Sequence, residues 1–399
     1  MHEELILGAG PSGLSCSLLK KEKTLILEKL SSPGGHASTF IISGFTFDYG
    51  PHILFSKDKE ILNFIIKSLE NNIEECKRNN KISFKKKLVK YPFENDLGSL
   101  SKEDNFACIS GFLFNKHSNN EKPRNMKEWF LKHFGEGICE KYLFPYNKKV
   151  WNIEVEKLSM QWSERIPKPE KIDILKSSIG IETEGYTHQL FYHYPKKGGY
   201  QAISEKWAEA CDIKYNEEVI KIKKEKIGYT IITNKQTYES KKIISTINLN
   251  SLIKACVDWI PEEIIDISKK LIINPMYVIS IGIKGKDIEK YTAIYFPEEE
   301  FLVNRISFPG TFAKNNCPEN CYSIQAEITF SNKSETSLLT DKEIINHVVT
   351  GLEDRGFIER HIKHILYEAR KRSTYLLSPK GMRAYHILKA RKNALPTVQ

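Results

Sequence analysis

Three glycines, Gly8, Gly10 and Gly13, follow the apolar run Leu5-Ile6-Leu7, and that juxtaposition constrains this chain more than any other feature it has. The run reads as a buried strand and Ser12 to Lys20 as a helix, so the G-x-G-x-x-G element occupies a strand-to-helix turn. Gly8 permits the tight turn, Gly10 lets the backbone approach a pyrophosphate, and Gly13 lets helix and strand pack closely, with Pro11 and Ser12 opening the helix. The unpaired N–H groups at that helix start suit an anion. Thr24 to Leu27 reads as a second buried strand, ending in Glu28, where a carboxylate accepts a hydrogen bond from a ribose hydroxyl and repels a 2′-phosphate. Lys29 follows it and joins the expected cofactor contacts. A glycine turn with no ligand is the plain alternative. The spacing of strand, helix, strand and acid argues instead for a dinucleotide-binding unit.

The rest of the composition bounds what that unit can belong to. With 40% hydrophobic and 28% charged residues, 399 residues can bury roughly two or three domain cores. The net charge of +10 is scattered through segments such as Lys85-Lys86-Lys87 and Lys221-Ile222-Lys223-Lys224. That reads as a solvated surface favouring an anionic small substrate, with no motif for nucleic acid. The eight cysteines are widely spaced, and Cys317 and Cys321 lack a second Cys or His pair nearby, so no metal site and a reduced, cytoplasmic protein are expected. A Rossmann-type opening at the N-terminus leaves no room for a signal peptide. The best apolar run, Leu271 to Ile283, is broken by Asn274 and Pro275, so no integral membrane contact is expected.

Along the chain, Phe45 to Tyr49 alternates like a strand and runs into the turn Gly50-Pro51-His52, at the sheet edge where ligands bind. Ser101 to Ser163 is mainly helical. Pro195 to Ala208 reads as turn and helix. Glu218 to Ile222, Tyr229 to Thr233 and Lys242 to Thr246 read as strands returning the chain to the first domain. Met276 to Lys284, Ala293 to Phe296, Leu302 to Phe308 and Cys321 to Phe330 suggest an antiparallel sheet, followed by a helix from Thr340 to Arg355. Arg370 to Gln399 is basic and unpatterned. The expected class is α/β: a Rossmann-like FAD-binding domain with a helical insertion and a mostly antiparallel β-sheet substrate domain. The expected segments are 1–90 and 195–265 for the FAD domain, 91–194 for the helical cap, 266–345 for the sheet domain, and 346–399 for a C-terminal segment.

FAD rather than NAD is expected because Gly34-Gly35-His36-Ala37-Ser38-Thr39 resembles the second glycine motif of the amine oxidase and mutase flavoproteins. More specifically, the chain resembles UDP-galactopyranose mutases of the eukaryotic-type branch. The resemblance rests on Gly50-Pro51-His52, Tyr91-Pro92-Phe93-Glu94-Asn95, Pro145-Tyr146-Asn147 with Val150-Trp151, Glu164-Arg165, and Tyr295-Phe296-Pro297 followed by Arg305, all in family order. It extends from residue 1 to about residue 350. It implies an isomerase in which N5 of FAD, reduced by NADPH, NADH or another donor, attacks the anomeric carbon of a UDP-sugar. Pyranose and furanose forms, UDP-galactose foremost, then interconvert for cell-surface glycan biosynthesis.

The same resemblance implies roles for individual residues. His52 would lie against the flavin, Arg165 and Arg305 would grip the diphosphate through their planar forks, and Tyr295 would orient a phosphate. Tyr91, Phe93, Glu94, Asn147 and Trp151 would line the nucleoside pocket, with Gln189 facing the sugar. Glu94 stands where relatives often carry Gln. Gly34, Gly35, Ser38, Thr39, Gly50, Pro51, Val219 and Thr246 would join the cofactor contacts, and Gly198-Gly199 falls in the same region. Without the resemblance, the arginines read as surface ion-pair residues, Phe93 and Trp151 as core, and His52 as a satisfied turn histidine. The family's closing Gly-Arg-x-Gly-type element finds no counterpart in residues 366–399, where Gly381 to Tyr385 is at most a degenerate remnant. That departure implies weakened FAD binding or turnover. A redox enzyme of the protoporphyrinogen oxidase or amine oxidase type, or a catalytically impaired FAD-binding homologue, are the alternative classes. Homo-oligomerisation is left open.

Overall fold

The computed structural model describes residues 1–20, 24–119, 121–166, 168, 170–184, 190–285, 291–359, 364–376 and 397–398. Two seven-stranded sheets organise them. In the first, the spatial order is Val219–Lys224, Tyr229–Thr233, Thr237–Ser245, His2–Leu7, Leu25–Glu28 and Asp212–Tyr215, with Thr397–Val398 pairing onto Thr237–Ser245. The strands on either side of His2–Leu7 run parallel to it. Leu5, Ile6 and Leu7 are fully buried because both faces of this sheet are covered, which is why the run is continuous rather than alternating.

The second sheet runs His364–Leu376, Ile272–Lys284, Cys321–Thr329, Arg305–Ser307, Ala293–Tyr295, Asn80–Phe84 and Lys87–Lys90. Its pairs are antiparallel apart from Ala293–Tyr295 against Asn80–Phe84. The helix Asp341–Asp354, closed at its start by a Thr340/Glu343 capping box, covers it through Ile344, Val348 and Leu352. The helical insertion comprises Lys102–Leu113, Met126–Ile138 and Phe144–Trp151, the last two joined by the π-helical turn Cys139–Leu143. It closes over Phe93, Trp129, Phe130 and Phe134.

Two expectations change. The strands Asn80–Phe84 and Lys87–Lys90, assigned from sequence to the first FAD-domain segment, hydrogen-bond into the second sheet instead. Their polar, lysine-rich pattern hid a partner that lies more than 200 residues away in sequence. Arg370 to Tyr375, within the stretch read as unpatterned, belongs to the strand His364–Leu376, which pairs along nearly the whole of Ile272–Lys284. Backbone pairing needs no hydrophobic alternation of its own, so the sequence carried no signal. Gly381 to Tyr385 lies outside the described residues. Where the two-stranded pairing of Thr39–Ile42 with Phe45–Asp48 packs on the second sheet, Gly282 leaves room for the Phe45 ring, which a Cβ would approach to 2.6 Å.

Candidate functional site

The glycine turn is built almost wholly from backbone. Gly8 has φ +98°, and a Cβ on Gly13 would stand 1.9 Å from the Gly8 carbonyl oxygen, so both positions require glycine. Gly10 caps the helix Pro11–Leu18 without any side-chain hydrogen bond, which leaves the first N–H groups of that helix for a ligand. The second glycine loop docks on the first: Gly34 N–H donates to Ala9 O at 2.9 Å, and Gly35 lies against Gly10. Glu28 is buried, its carboxylate accepting from Ala9 N–H at 2.7 Å and Leu30 N–H at 2.9 Å. Lys29 is exposed beside it. Uncapped helix start, side-chain-free Gly10 and buried acid together fit the pyrophosphate and ribose of a dinucleotide.

Several expected cofactor contacts have other duties here. Thr246 Oγ1 donates to Leu7 O at 2.8 Å and reaches Gly8 O at 3.1 Å, so Thr246 braces the glycine turn from beneath. Val219 opens the edge strand and packs on the core under the first sheet. Ser38 Oγ donates to Gly35 O, and Thr39 Oγ1 donates to Asp48 at 2.6 Å. Asp48, which the sequence reading passed over, is a buried junction that also accepts from Tyr194 OH at 2.7 Å and Tyr200 N–H at 2.9 Å. Gly199 is needed beside it, since a Cβ would meet Thr39 and Asp48. Gly50, at φ +92°, and Pro51 turn the chain so that His52 Nδ1 lies 2.6 Å from Gly50 O, with the imidazole 5.3 Å from the Tyr200 ring. A carbonyl only accepts, so Nδ1 is the donor in that contact and the imidazole is held in one orientation.

A second cluster forms where the helical insertion meets the second sheet. Tyr91 stacks on Tyr295 with ring centroids 4.8 Å apart, and Tyr146 meets Tyr295 edge-on at 5.6 Å. Tyr142 stacks on Tyr146, and Phe93 on Tyr142. Burial drives the Tyr142 and Tyr146 hydroxyls well above the usual tyrosine range. Phe93 is fully buried in the helical core, which corrects its expected place as an open pocket wall. Glu94 is 2% exposed, and burial pushes its carboxyl up to about 7. Its neighbour Asn95, equally hidden, finds no hydrogen-bond partner for either amide atom among the described residues, a feature no local sequence pattern announces. Asn147 spends its NH₂ group on Leu143 O within its own helix, leaving its carbonyl oxygen. The Trp151 carbonyl accepts from Asn274, and its ring packs on the helical core.

Tyr295 and Arg305 face each other as a cross-strand pair. Arg305 is bound bidentately by Glu327, Nε to Oε2 at 2.6 Å and Nη2 to Oε1 at 2.9 Å. Burial works to lower the guanidinium, and Glu327 more than reverses that. One edge of the fork is therefore occupied from within, and Glu327 is a partner the sequence reading missed. Lys149 reaches the loop between the two strands. Burial lowers its ammonium to about 7, although the Glu298 carboxylate pulls the other way. Arg165 ends the 3₁₀ turn Met160–Arg165, and its side chain lies outside the described residues, as does Gln189 entirely. Among the described residues, no group of three or more His, Cys, Asp or Glu could hold a metal, and no helix is long and apolar enough to cross a membrane.

Residues 6–67 match the family model of the NAD(P)-binding Rossmann-like domain. Over the whole chain, a crystal structure of reduced UDP-galactopyranose mutase superposes with a TM-score of 0.88 at 22% identity, covering 99% of this chain and 88% of that one. This is the UDP-galactopyranose mutase fold. The architecture is shared more widely. A structure assigned as a protoporphyrinogen oxidase from Exiguobacterium sp. 255-15 gives 0.73 at 14% identity, covering 100% and 93% of the two chains. Putrescine oxidase bound to putrescine gives 0.66 at 14%, covering 100% and 92%. Prolycopene isomerase 2 of an Oncidium hybrid cultivar is 37% identical over 73 residues, which are 17% of this chain and 12% of the relative. The match thus spans only about an eighth of that isomerase.

Proposed function

We propose that this protein is a flavin-dependent mutase interconverting pyranose and furanose forms of a UDP-sugar, UDP-galactose foremost, in the cytoplasm and for cell-surface glycans. The observation that carries the reading is the Tyr91–Tyr295–Tyr146 aromatic cluster beside the Tyr295–Arg305 pair, within a fold shared end to end with UDP-galactopyranose mutase. Reduced FAD, when bound, supplies a nucleophilic N5 for the anomeric carbon. The protein's own residues bind and orient. The N–H groups after Gly10, the Gly34-Gly35 loop and Glu28 hold the dinucleotide, and His52, its ring oriented by Nδ1 against Gly50 O, lies against the flavin. Tyr91 holds the base by stacking, with Asn147 and Trp151 around it, and Tyr295 orients a phosphate. Arg305, through the guanidinium edge that Glu327 leaves, and Arg165 bind the diphosphate, while Gln189 faces the sugar.

NADPH or NADH would serve as reductant. The likeness to putrescine oxidase supports a second reading, net substrate oxidation by an amine oxidase-type enzyme. One preparation separates them. The purified flavoprotein is titrated with UDP while the flavin bands and tryptophan fluorescence are followed, then reduced and incubated with UDP-galactopyranose. A saturable response and UDP-galactofuranose in the product support the mutase. Failure to bind UDP, with amine-dependent oxygen consumption, would overturn it.

A further inference from the structure

We infer that Lys149 is a positioning residue for the substrate site: its ammonium clasps the base of the loop that joins Tyr295 to Arg305 and holds that hairpin against the helix carrying Tyr146 and Asn147. Its role in substrate binding rests on the mutase reading, whereas the clasp itself does not.

Lys149 Nζ donates to three backbone carbonyls, Phe296 O at 2.8 Å, Glu298 O at 2.7 Å and Val303 O at 2.7 Å. An ammonium has three N–H donors, and all three are used. The first acceptor belongs to the residue directly after Tyr295, and the last lies two residues before Arg305. One side chain thus ties together both ends of the loop. The cross-strand register of Tyr295 opposite Arg305, continued by Phe296 N–H to Asn304 O at 2.9 Å, depends on that closure.

The convergence of three carbonyls separates this lysine from Lys132 and Lys235, whose ammonium groups each donate to one, Glu121 O and Tyr215 O. Among the described residues Lys149 makes no ion pair with a carboxylate, whereas its neighbour Lys148 pairs with Glu154 at 3.1 Å. Lys149 spends its charge on carbonyl dipoles that only a folded loop can converge, at the desolvation cost seen in its lowered ammonium. The far side of the loop is held as well. His347 Nε2 accepts from Leu302 N–H at 3.0 Å, and the Arg355 guanidinium lies 4.2 Å from the Phe301 ring centroid. A loop pinned on both sides transmits its position to its ends rather than absorbing it. Its position relative to Tyr146 comes through Lys149, which lies one helical turn beyond that residue.

Lys149→Met keeps the side chain's bulk and removes all three donors, and Lys149→Gln retains two. The full-length, flavin-loaded variants would be compared with wild type by hydrogen–deuterium exchange and by UDP titration. The expected result is exchange at 296–304 faster by roughly tenfold or more, with the glycine turn unchanged. UDP affinity falls by roughly ten- to hundredfold with an unaltered flavin spectrum, and Gln is intermediate. In a double-mutant cycle with Arg305→Lys, the two losses in UDP affinity are less than additive. Unchanged exchange at 296–304, or a loosened loop with wild-type UDP affinity, or strictly additive losses, would overturn the proposal. If the Met variant does not accumulate, the Gln variant carries all three measurements. Wild-type protein that ignores UDP counts against the mutase reading alone, and the exchange data then decide the clasp.

Discussion

The glycine turn and the aromatic–arginine cluster are built on opposite principles. The turn is local: Gly8, Gly10 and Gly13, with Glu28 and the docked Gly34-Gly35 loop, come from the first 35 residues and act mainly through backbone N–H groups. The cluster gathers Tyr91, Tyr146, Tyr295 and Arg305 from three separate stretches and acts through side chains. The turn tolerates no added atom at Gly8 or Gly13, whereas a cluster made of side chains tolerates replacement but depends on what positions each member. The first should therefore fail abruptly on mutation and the second by degrees.

The sharpest test is Gly13→Ala. Its Cβ would overlap the Gly8 carbonyl oxygen, so helix and strand must separate. The expected outcome is loss of bound flavin and a destabilisation above about 3 kcal/mol, read by the visible spectrum and denaturant unfolding. Retained flavin would show that the turn is more pliable than its geometry implies. Arg305→Ala comes next. It should weaken UDP binding by about 2 kcal/mol or more, and it leaves Glu327 buried without its partner, costing stability of about 3 kcal/mol. Calorimetric titration showing unchanged UDP affinity would remove Arg305 from the diphosphate site.

The smallest effect belongs to Glu94→Gln and depends on pH. Folding raises the Glu94 carboxyl from its ordinary 4.5 to about 7, so between those values the folded state holds a proton that the unfolded state has lost. Stability therefore falls as pH rises through that window. Gln, which never ionises, should raise stability at pH 8 by on the order of 2 kcal/mol and change it little at pH 5, measured by thermal melts at both values. An equal shift at both pH values would show that the carboxyl is not titrating in the fold.

How far the sequence reached follows the same division. The opening strand, helix and acid were legible because their spacing is itself the structure, and the four strands from Met276 to Phe330 were legible from their Ile, Val, Tyr and Phe content. Asp48 was passed over because two of its partners, Tyr194 and Tyr200, meet it only after a distant segment packs. Lys149 was one lysine among many until its three carbonyl acceptors were seen together. Thr246 was assigned to the cofactor by position, and its hydroxyl turns instead to the strand beside it.

The sequence by itself determined the dinucleotide turn, the α/β class and the order of the segments, because glycine conformational freedom and apolar periodicity act over a few residues. Only the tertiary structure decided that residues 80–90 and 364–376 complete the second sheet, that Glu327 occupies one edge of Arg305, and that Phe93 is core. Backbone pairing and the burial of a charge are settled by whatever arrives from elsewhere in the chain, and no neighbouring residue encodes that arrival.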